Sequence, residues 1–458
     1  MRIFSIELEN FRMFEKKRVE FPAMFSVLIG ENGTGKTSIL EAIAGLLEIG
    51  FVNEIEMLAG VSGIGNSKLV NAMGVRYTVD DFGNKERARS FSIMVTCQDR
   101  SGSVFSTGFF LEKDGFSQDV RDKDFEISQF EYPNELIYIA KELFDELQSK
   151  KNPILPVLDI FGTDRNLGEP EDEIDYIANA SRIENGYFGS MRGKLGGPKK
   201  FLSWFKTFEN EAIKFPNKLF VREHLDCVKE AILSVLPNWT DLSFSFPEDD
   251  LIGTATDENG IETRHFFRQL SDGYRSMVAL VGTIAWRCVR LNPHLGKNAA
   301  KESPGIILID ELDLHLHPNW QKRIVGDLKR TFPNIQFICT THSPFIVQSL
   351  EADEIISLDG IVDVNPSSLS LEDVAEEIMG VESPFSIENQ KTEEIATKYL
   401  EAIDGTEKGT VDVEDPGEKG LEFLGNSNKE TELNELEQQI SDPVMRAFLQ
   451  MQRLKYKK

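Results

Sequence analysis

The chain has 458 residues and a formal net charge of −26, with 76 Asp and Glu against 50 Lys and Arg. That balance argues against a general nucleic-acid coat, which needs concentrated cations for the phosphate backbone. No stretch approaches 18 apolar residues and the N-terminus lacks an apolar signal core, so the reading is cytoplasmic with no membrane span.

Residues Arg2 to Phe11 alternate apolar and polar side chains (Ile3, Phe4, Ile6, Leu8), as a half-buried strand does. RVEFP repeats the pattern, and FSVLIG is a short apolar run suited to a central strand. GENGTGKT follows at once, and Ile39, Ala42, Ile43 and Leu46 then recur at helical spacing. Strand, GxxxxGKT and helix in that order predict a phosphate loop over Gly30, Glu31, Asn32, Gly33, Thr34, Gly35, Lys36, Thr37 and Ser38. The glycines let backbone N–H groups turn around an anion at the positive end of the helix. Lys36 is expected on the β- and γ-phosphates, and the Thr37 hydroxyl on Mg²⁺. VRYTVDD, SFSIMVTCQ and STGFFLEK alternate with Gly, Asn and Asp turns and predict an antiparallel or mixed sheet. YPNELIYIAKELFDELQSK reads as a helix. LPVLDIFGTDR reads as a buried strand that turns near the nucleotide.

From Asp172 to about Leu236 helical spacing dominates, with Trp204, Phe205 and Phe208 as anchors and Gly196–Pro198 as internal punctuation. Arg182, Arg192, Lys194, Lys199 and Lys200 form a loose basic stretch that reads as solvated surface, as do Arg453, Lys455, Lys457 and Lys458. Cys97, Cys227, Cys288 and Cys339 lack CxxC spacing and fit buried thiols in a reducing compartment. FSFPEDDLIGTATDENG is expected to form a strand pair. LSDGYR then opens a helix, with Ser271 as N-cap and Gly273 allowing close approach to a phosphate. IILIDE predicts a central parallel strand ending in two acids at the edge where open α/β sheets place ligands. Asp310 there is expected to hold Mg²⁺, and Glu311 to act as general base. NIQFICTTHSPFIV is a second buried strand, ending at His342, and a histidine there can contact a γ-phosphate. His315 and His317 in DLHLHP fit interface or loop packing better than a metal site.

Taken together, GENGTGKT, LSDGYR, IDELDLHLHP and TTHSP resemble the ABC-type ATPases of the RecF and SMC kind, particularly the overcoming-lysogenisation class, over Met1 to Leu358. LPVLDIFGTDR, SRIENGYF, the WFKTFE helix and the tail look more narrowly like the ATPase subunit of Septu-type anti-phage defence. The resemblance implies an α/β P-loop ATPase head with a mixed or parallel central sheet, an antiparallel β lobe and a helical insertion, using ATP and Mg²⁺. The expected division is an N-terminal ATPase lobe over 1–165, a helical insertion over 166–240, a C-terminal ATPase lobe over 241–362, and a linker and docking tail over 363–458. It further implies a homodimer, or a multiple of dimers, packed head to tail. Ser271 and Gly273 would then act on the partner's γ-phosphate, and Asp313 would lie in the loop joining the two sites. LSDGY departs from the usual LSGGQ at Asp272 and Tyr274. Gln98 and the turn at Gly162 to Arg165 both compete for the glutamine loop.

About a hundred residues follow His342, where nuclease members of the overcoming-lysogenisation class carry a metal-binding domain rich in paired acids. Asp404 to Glu437 holds eleven acids against three lysines and five glycines and reads as a flexible linker. ISDPVMRAFLQMQRLKYKK places Val444, Phe448, Met451 and Leu454 on one helical face, suited either to docking a partner or to capping the core. The leading expectation is an ATP-hydrolysing switch that controls a separate nuclease effector in anti-phage defence, with any nucleic acid reached through the complex. The alternatives are a RecF-like repair ATPase acting directly on DNA and, third, a transporter ATPase.

Overall fold

The alternation in the first twenty residues produces a hairpin, β1 (Arg2–Phe11) and β2 (Phe14–Glu20). This computed structural model describes residues 1–60, 77–79, 85–87, 90–113, 127–131, 134–163, 182–187, 189–191, 198–215, 219–257, 260–360, 364–381, 395–400, 433–437, 439–440, 446 and 448–451. They divide into two units, Met1–Val374 and Ala375–Lys458. Ile6 and Leu8 are buried as the alternation requires, and Ile3, on the other side of a register shift, is buried too. Phe4 leaves the pattern because the register shifts between Ile3 and Ser5, and it sits half-buried beneath the Arg2 guanidinium at 4.9 Å.

In the first unit β3 (Phe25–Ile29) is buried at every residue. It leads into α1 (Lys36–Leu47) and, further on, α2 (Asn53–Leu58). A two-stranded ladder joins β4 (Tyr77–Val79) to β5 (Lys85–Arg87). β6 (Ser90–Gln98), β7 (Val104–Lys113) and β8 (Ile127–Glu131) then extend the hairpin into a five-stranded antiparallel sheet of order β2-β1-β6-β7-β8. After α3 (Asn134–Gln148), β9 (Val157–Phe161) enters the other large sheet. Helices α4 (Arg182–Tyr187), α5 (Pro198–Lys214) and α6 (Leu219–Val235) occupy the stretch expected to be helical. Phe201, Trp204, Phe205 and Phe208 are its buried anchors. β10 (Trp239–Ser245), β11 (Asp250–Thr256) and β12 (Glu262–Phe266) make a three-stranded antiparallel sheet, one strand more than the sequence pattern suggested.

The second half continues with α7 (Asp272–Leu291), α8 (Ala299–Glu302), β13 (Gly305–Ile309), α9 (Pro318–Gln321), α10 (Ile324–Thr331), β14 (Ile335–Thr340), α11 (Pro344–Val347) and β15 (Ile355–Ser357). Strands from both ends of the chain form one sheet of order β15-β3-β14-β13-β9, and every pairing in it is parallel. β3, β14, β13 and β9 are buried along their whole length, as parallel strands covered on both faces must be. Gln336 ties this sheet to the antiparallel one. Its buried side-chain amide accepts from Ile3 N–H at 2.8 Å and donates to the Ile3 carbonyl at 2.8 Å.

Residues Leu155–Phe161 and Arg182–Tyr187 interlock around the end of α7. Arg287 and Asp159 form an ion pair at 2.5 Å, with side chains 1% and 0% exposed. Arg287 also donates to the Gly186 carbonyl, and Tyr187 Oη donates to the Pro156 carbonyl at 2.8 Å. Arg182 donates to the carbonyls of Leu291 and Pro153. Burial drives the Asp159 carboxyl upward against the pull of Arg287. The four cysteines are buried and unbridged. Burial pushes the Cys97 thiol up to about 12 and Cys227 to about 11, so neither is a thiolate at neutral pH.

The second unit holds a small apolar core of Ala396, Tyr399, Leu433, Ile440 and Leu449. Residues 433–437 are helical and Leu433 is 1% exposed, so the acidic linker does not extend to Glu437 as its composition suggested. Residues 404–432 of that linker lie outside the described residues. Leu449, absent from the expected tail face, is buried, whereas Phe448 and Met451 are 44% and 59% exposed. Val444 and Leu454 lie outside the described residues. Among the described residues no helix is long and apolar enough to cross a membrane.

Candidate nucleotide site

The parallel sheet places the ends of β3, β14 and β13 side by side, and each carries part of the site. β3 feeds the loop Gly30–Gly35. Gly30, Gly33 and Gly35 all have positive φ, and Gly35 at φ 93° caps α1. A side chain on Gly35 would collide with the Phe14 ring and Met13 from the β1–β2 turn, so glycine is needed there for both conformation and space. The first turn of α1 has no acidic residue, which leaves its positive end available to an anion. Glu31, Asn32, Gly33 and Thr37 are exposed and Thr34 and Ser38 partly so. Arg12 donates to the Ser38 hydroxyl at 3.1 Å and pairs with Glu41, fixing the β1–β2 turn on the first turn of α1.

Lys36 is 7% exposed, and its Nζ donates to the carbonyls of Gly30 at 2.7 Å and Glu31 at 2.8 Å. Burial lowers its pKa, opposed by the charges of Asp359, Asp310 and Glu311. Thr37 Oγ1 donates to Asp310 Oδ2 at 2.9 Å, which brings residues 273 positions apart into contact. Asp310 is 6% exposed, and its other carboxylate oxygen accepts from Thr340 Oγ1 at 2.6 Å. The Thr37 hydroxyl and the Asp310 carboxylate form an all-oxygen donor pair of the kind hard Mg²⁺ prefers. Glu311 adopts φ 50°, a left-handed conformation uncommon for any residue other than glycine, and its N–H donates to Thr340 Oγ1 at 2.8 Å.

Two site residues were not anticipated. Thr340, the first residue of TTHSP, holds Asp310 and Glu311 together through one hydroxyl. Asp359 lies just beyond β15 and accepts from the Glu31 N–H at 2.8 Å. The DEIISLDG run carries no pattern that distinguishes Asp359 from other turn acids; only the β15–β3 pairing brings it to the loop.

His342 is exposed at the end of β14, and its N–H donates to Asp313 Oδ1 at 3.2 Å. Thr341 Oγ1 donates to the same oxygen at 2.5 Å. His315 is exposed with φ 64°, and His317 caps α9 by accepting from Asn319 N–H at 3.3 Å. Among the described residues no group of three or more His, Cys, Asp and Glu could hold a metal. Ser271 occupies the N-cap position of α7, but its side chain makes no capping hydrogen bond and is exposed. The N-cap position is thus as expected, but the side-chain bond of a cap is not made. Gly273 packs on the segment after Glu311: a Cβ there would lie 2.5 Å from the His315 carbonyl oxygen. Asp272 pairs with Arg275 within the first turn.

Gln98 is not at the site. It pairs with Arg2 at the start of β1, whereas the glycine loop meets the β1–β2 turn at the other end. A ten-residue strand separates the two by about 30 Å. The turn after β9 does reach the sheet edge, because Asp310 N–H donates to the Phe161 carbonyl at 2.8 Å. Gly162 and Thr163 therefore adjoin the acids; Asp164 and Arg165 lie outside the described residues.

A parallel sheet with a glycine loop on one strand and paired acids on a near neighbour defines an α/β P-loop ATPase head. The chain belongs to the RecF/RecN/SMC N-terminal domain family, whose model matches residues 2–360, a family of ATP-binding ATPases. It is 28% identical to the Retron Ec83 probable ATPase of Escherichia coli over 78% of this chain and 71% of the relative. It is also 32% identical to the Septu protein PtuA of Bacillus thuringiensis, over 31% of this chain and 37% of that protein. Among solved structures, the SMC head domain from Thermotoga maritima has 13% identity and a TM-score of 0.40 over 80% of this chain and 97% of that one.

Proposed function

We propose that this chain binds MgATP at Gly30–Ser38 and Asp310, hydrolyses it, and acts as a homodimer, or a multiple of dimers, that controls a separate nuclease in cytoplasmic anti-phage defence. The observation that carries the nucleotide reading is the meeting of Thr37, Asp310 and Thr340 at one sheet edge, beside a helix N-terminus with no acid of its own. Mg²⁺, held by Thr37 and Asp310, would neutralise phosphate charge. Lys36 would exchange its contacts with the Gly30 and Glu31 carbonyls for phosphate oxygens. Glu311 takes a proton from the attacking water as the bond between γ-phosphorus and the bridging oxygen breaks, leaving ADP and phosphate. His342 contacts the γ-phosphate, and Ser271 and Gly273 contact that of a partner subunit. The exposure of Ser271 supports this reading. The similarity to a retron ATPase and a Septu protein supports the defence role.

The experiment compares wild type, Lys36→Ala and Glu311→Gln. Lys36→Ala should lose MgATP affinity, and Glu311→Gln should keep it while turnover falls at least about a hundredfold. Unchanged affinity in Lys36→Ala, or normal phosphate release from Glu311→Gln, would refute the site. Co-purification with a neighbouring nuclease tests the effector role, and Lys36-dependent loading on bare duplex DNA would instead favour the repair reading.

A further inference from the structure

The four-residue helix α9 touches both halves of the proposed chemistry. Successive helical residues point about 100° apart, so Trp320 and Gln321 serve different neighbours. Trp320 packs on Tyr274 of LSDGYR, with ring centroids 4.4 Å apart and planes at 59°. Behind it Tyr274 stacks on Trp239, 6.3 Å away at 26°, and Trp239 on His265, 6.0 Å away at 23°. Tyr274, the departure from the usual glutamine, is thus held by packing on α9 and on the three-stranded sheet. Gln321 turns the other way. Its Oε1 accepts from Ser343 Oγ at 2.7 Å, and its Nε2 donates to the carbonyls of Leu316 at 2.8 Å and Asp313 at 3.5 Å. Asp313 in turn accepts from Thr341 Oγ1 and His342 N–H. One amide therefore staples the segment after Glu311 to the segment bearing His342.

Resting on the ATPase reading above, we propose that Trp320 and Gln321 are positioning residues that couple His342 to the signature Ser271–Tyr274. A shift of His342 toward a bound γ-phosphate moves Ser343, then Gln321 and α9, and through Trp320 and Tyr274 the signature that serves the partner's nucleotide. Each subunit thereby reports its own site to the opposite one. The expected consequence is cooperative hydrolysis that depends on this contact chain while nucleotide binding at the phosphate loop does not.

The test uses the full-length chain. Gln321→Leu removes all three hydrogen bonds at similar size, and Tyr274→Ala removes the ring contact. Each should lower kcat about tenfold and bring the Hill coefficient toward one, with MgADP affinity within about twofold of wild type. The double variant should be no slower than the slower single, because both break one chain of contacts. Tyr274→Phe keeps the ring contact and should recover most of the kcat that Tyr274→Ala loses. Gln321→Glu keeps the acceptor for Ser343 but cannot donate to Leu316, and should lose kcat like Gln321→Leu; this milder pair carries the test if the harsher variants melt early. A double variant slowed about a hundredfold, as independent sites would be, would overturn the proposal. So would lost MgADP affinity in the singles, or an unchanged Hill coefficient. Absence of Lys36-dependent hydrolysis in wild type would refute the underlying ATPase reading instead.

Discussion

Thr340→Val isolates what one hydroxyl does at the end of β14. Valine keeps the β-branched shape at a position 1% exposed, so strand packing is retained. Two hydrogen bonds disappear. Asp310 loses a donor at 2.6 Å, a bond to a charged group worth about 1.5–3 kcal/mol, and Glu311 N–H loses its acceptor at 2.8 Å, worth about 1 kcal/mol. Summed, the first unit should be destabilised by about 2.5–4 kcal/mol in urea unfolding with an unchanged slope. Glu311 is affected more than stability, because its left-handed backbone conformation is held by that same oxygen. Released, it can relax away from the water it is proposed to activate, and kcat should fall by about ten- to a hundredfold while MgADP affinity changes little. Phosphate release and calorimetry, run beside urea melts, separate the two effects. A variant destabilised as expected but with wild-type kcat would refute the claim that Thr340 positions Glu311.

Arg287→Met should cost about 3–5 kcal/mol by leaving Asp159 buried and uncompensated, and adding Asp159→Leu should recover most of it. Because the folded-state carboxyl is already raised and would rise further, the folded form binds more protons than the unfolded one, so the deficit of Arg287→Met should shrink as pH falls toward about 4. A deficit flat with pH would count against a charged Asp159. Ser271→Arg and Lys36→Ala should each be inactive alone yet regain partial ATPase activity when mixed, since one site of a mixed dimer has neither defect; verified heterodimers that stay inactive would exclude a site made in trans. In the second unit, Leu449→Ala should lower stability by about 2–5 kcal/mol. Phe448→Asp with Met451→Asp should leave melting unchanged and abolish partner co-purification, and early melting of that pair would mean the side chains cap a core instead.

The glycine loop was legible because its pattern is local: Gly30 to Thr37 are contiguous, and strand, loop and helix follow one another in sequence. Asp310 and Glu311 were legible for a similar reason, since two acids ending an apolar run place themselves at a sheet edge. Helix α7 was readable from its apolar spacing, but whether the Ser271 side chain caps it was not, because capping depends on a rotamer that local pattern leaves open. Tertiary structure decided everything that depends on register between distant strands. Gln98 left the site once its pairing with Arg2 fixed which end of β1 it occupies. Thr340 and Asp359 joined the site through the pairings of β14 with β13 and of β15 with β3. Phe4 faces Arg2 because a bulge resets the alternation, and Leu449 rather than Phe448 is buried because a one-residue rotation of a short helix changes which side meets its core. Motif chemistry is written in runs of neighbouring residues, whereas hydrogen bonds across hundreds of positions exist only when the sheet brings their ends to one edge.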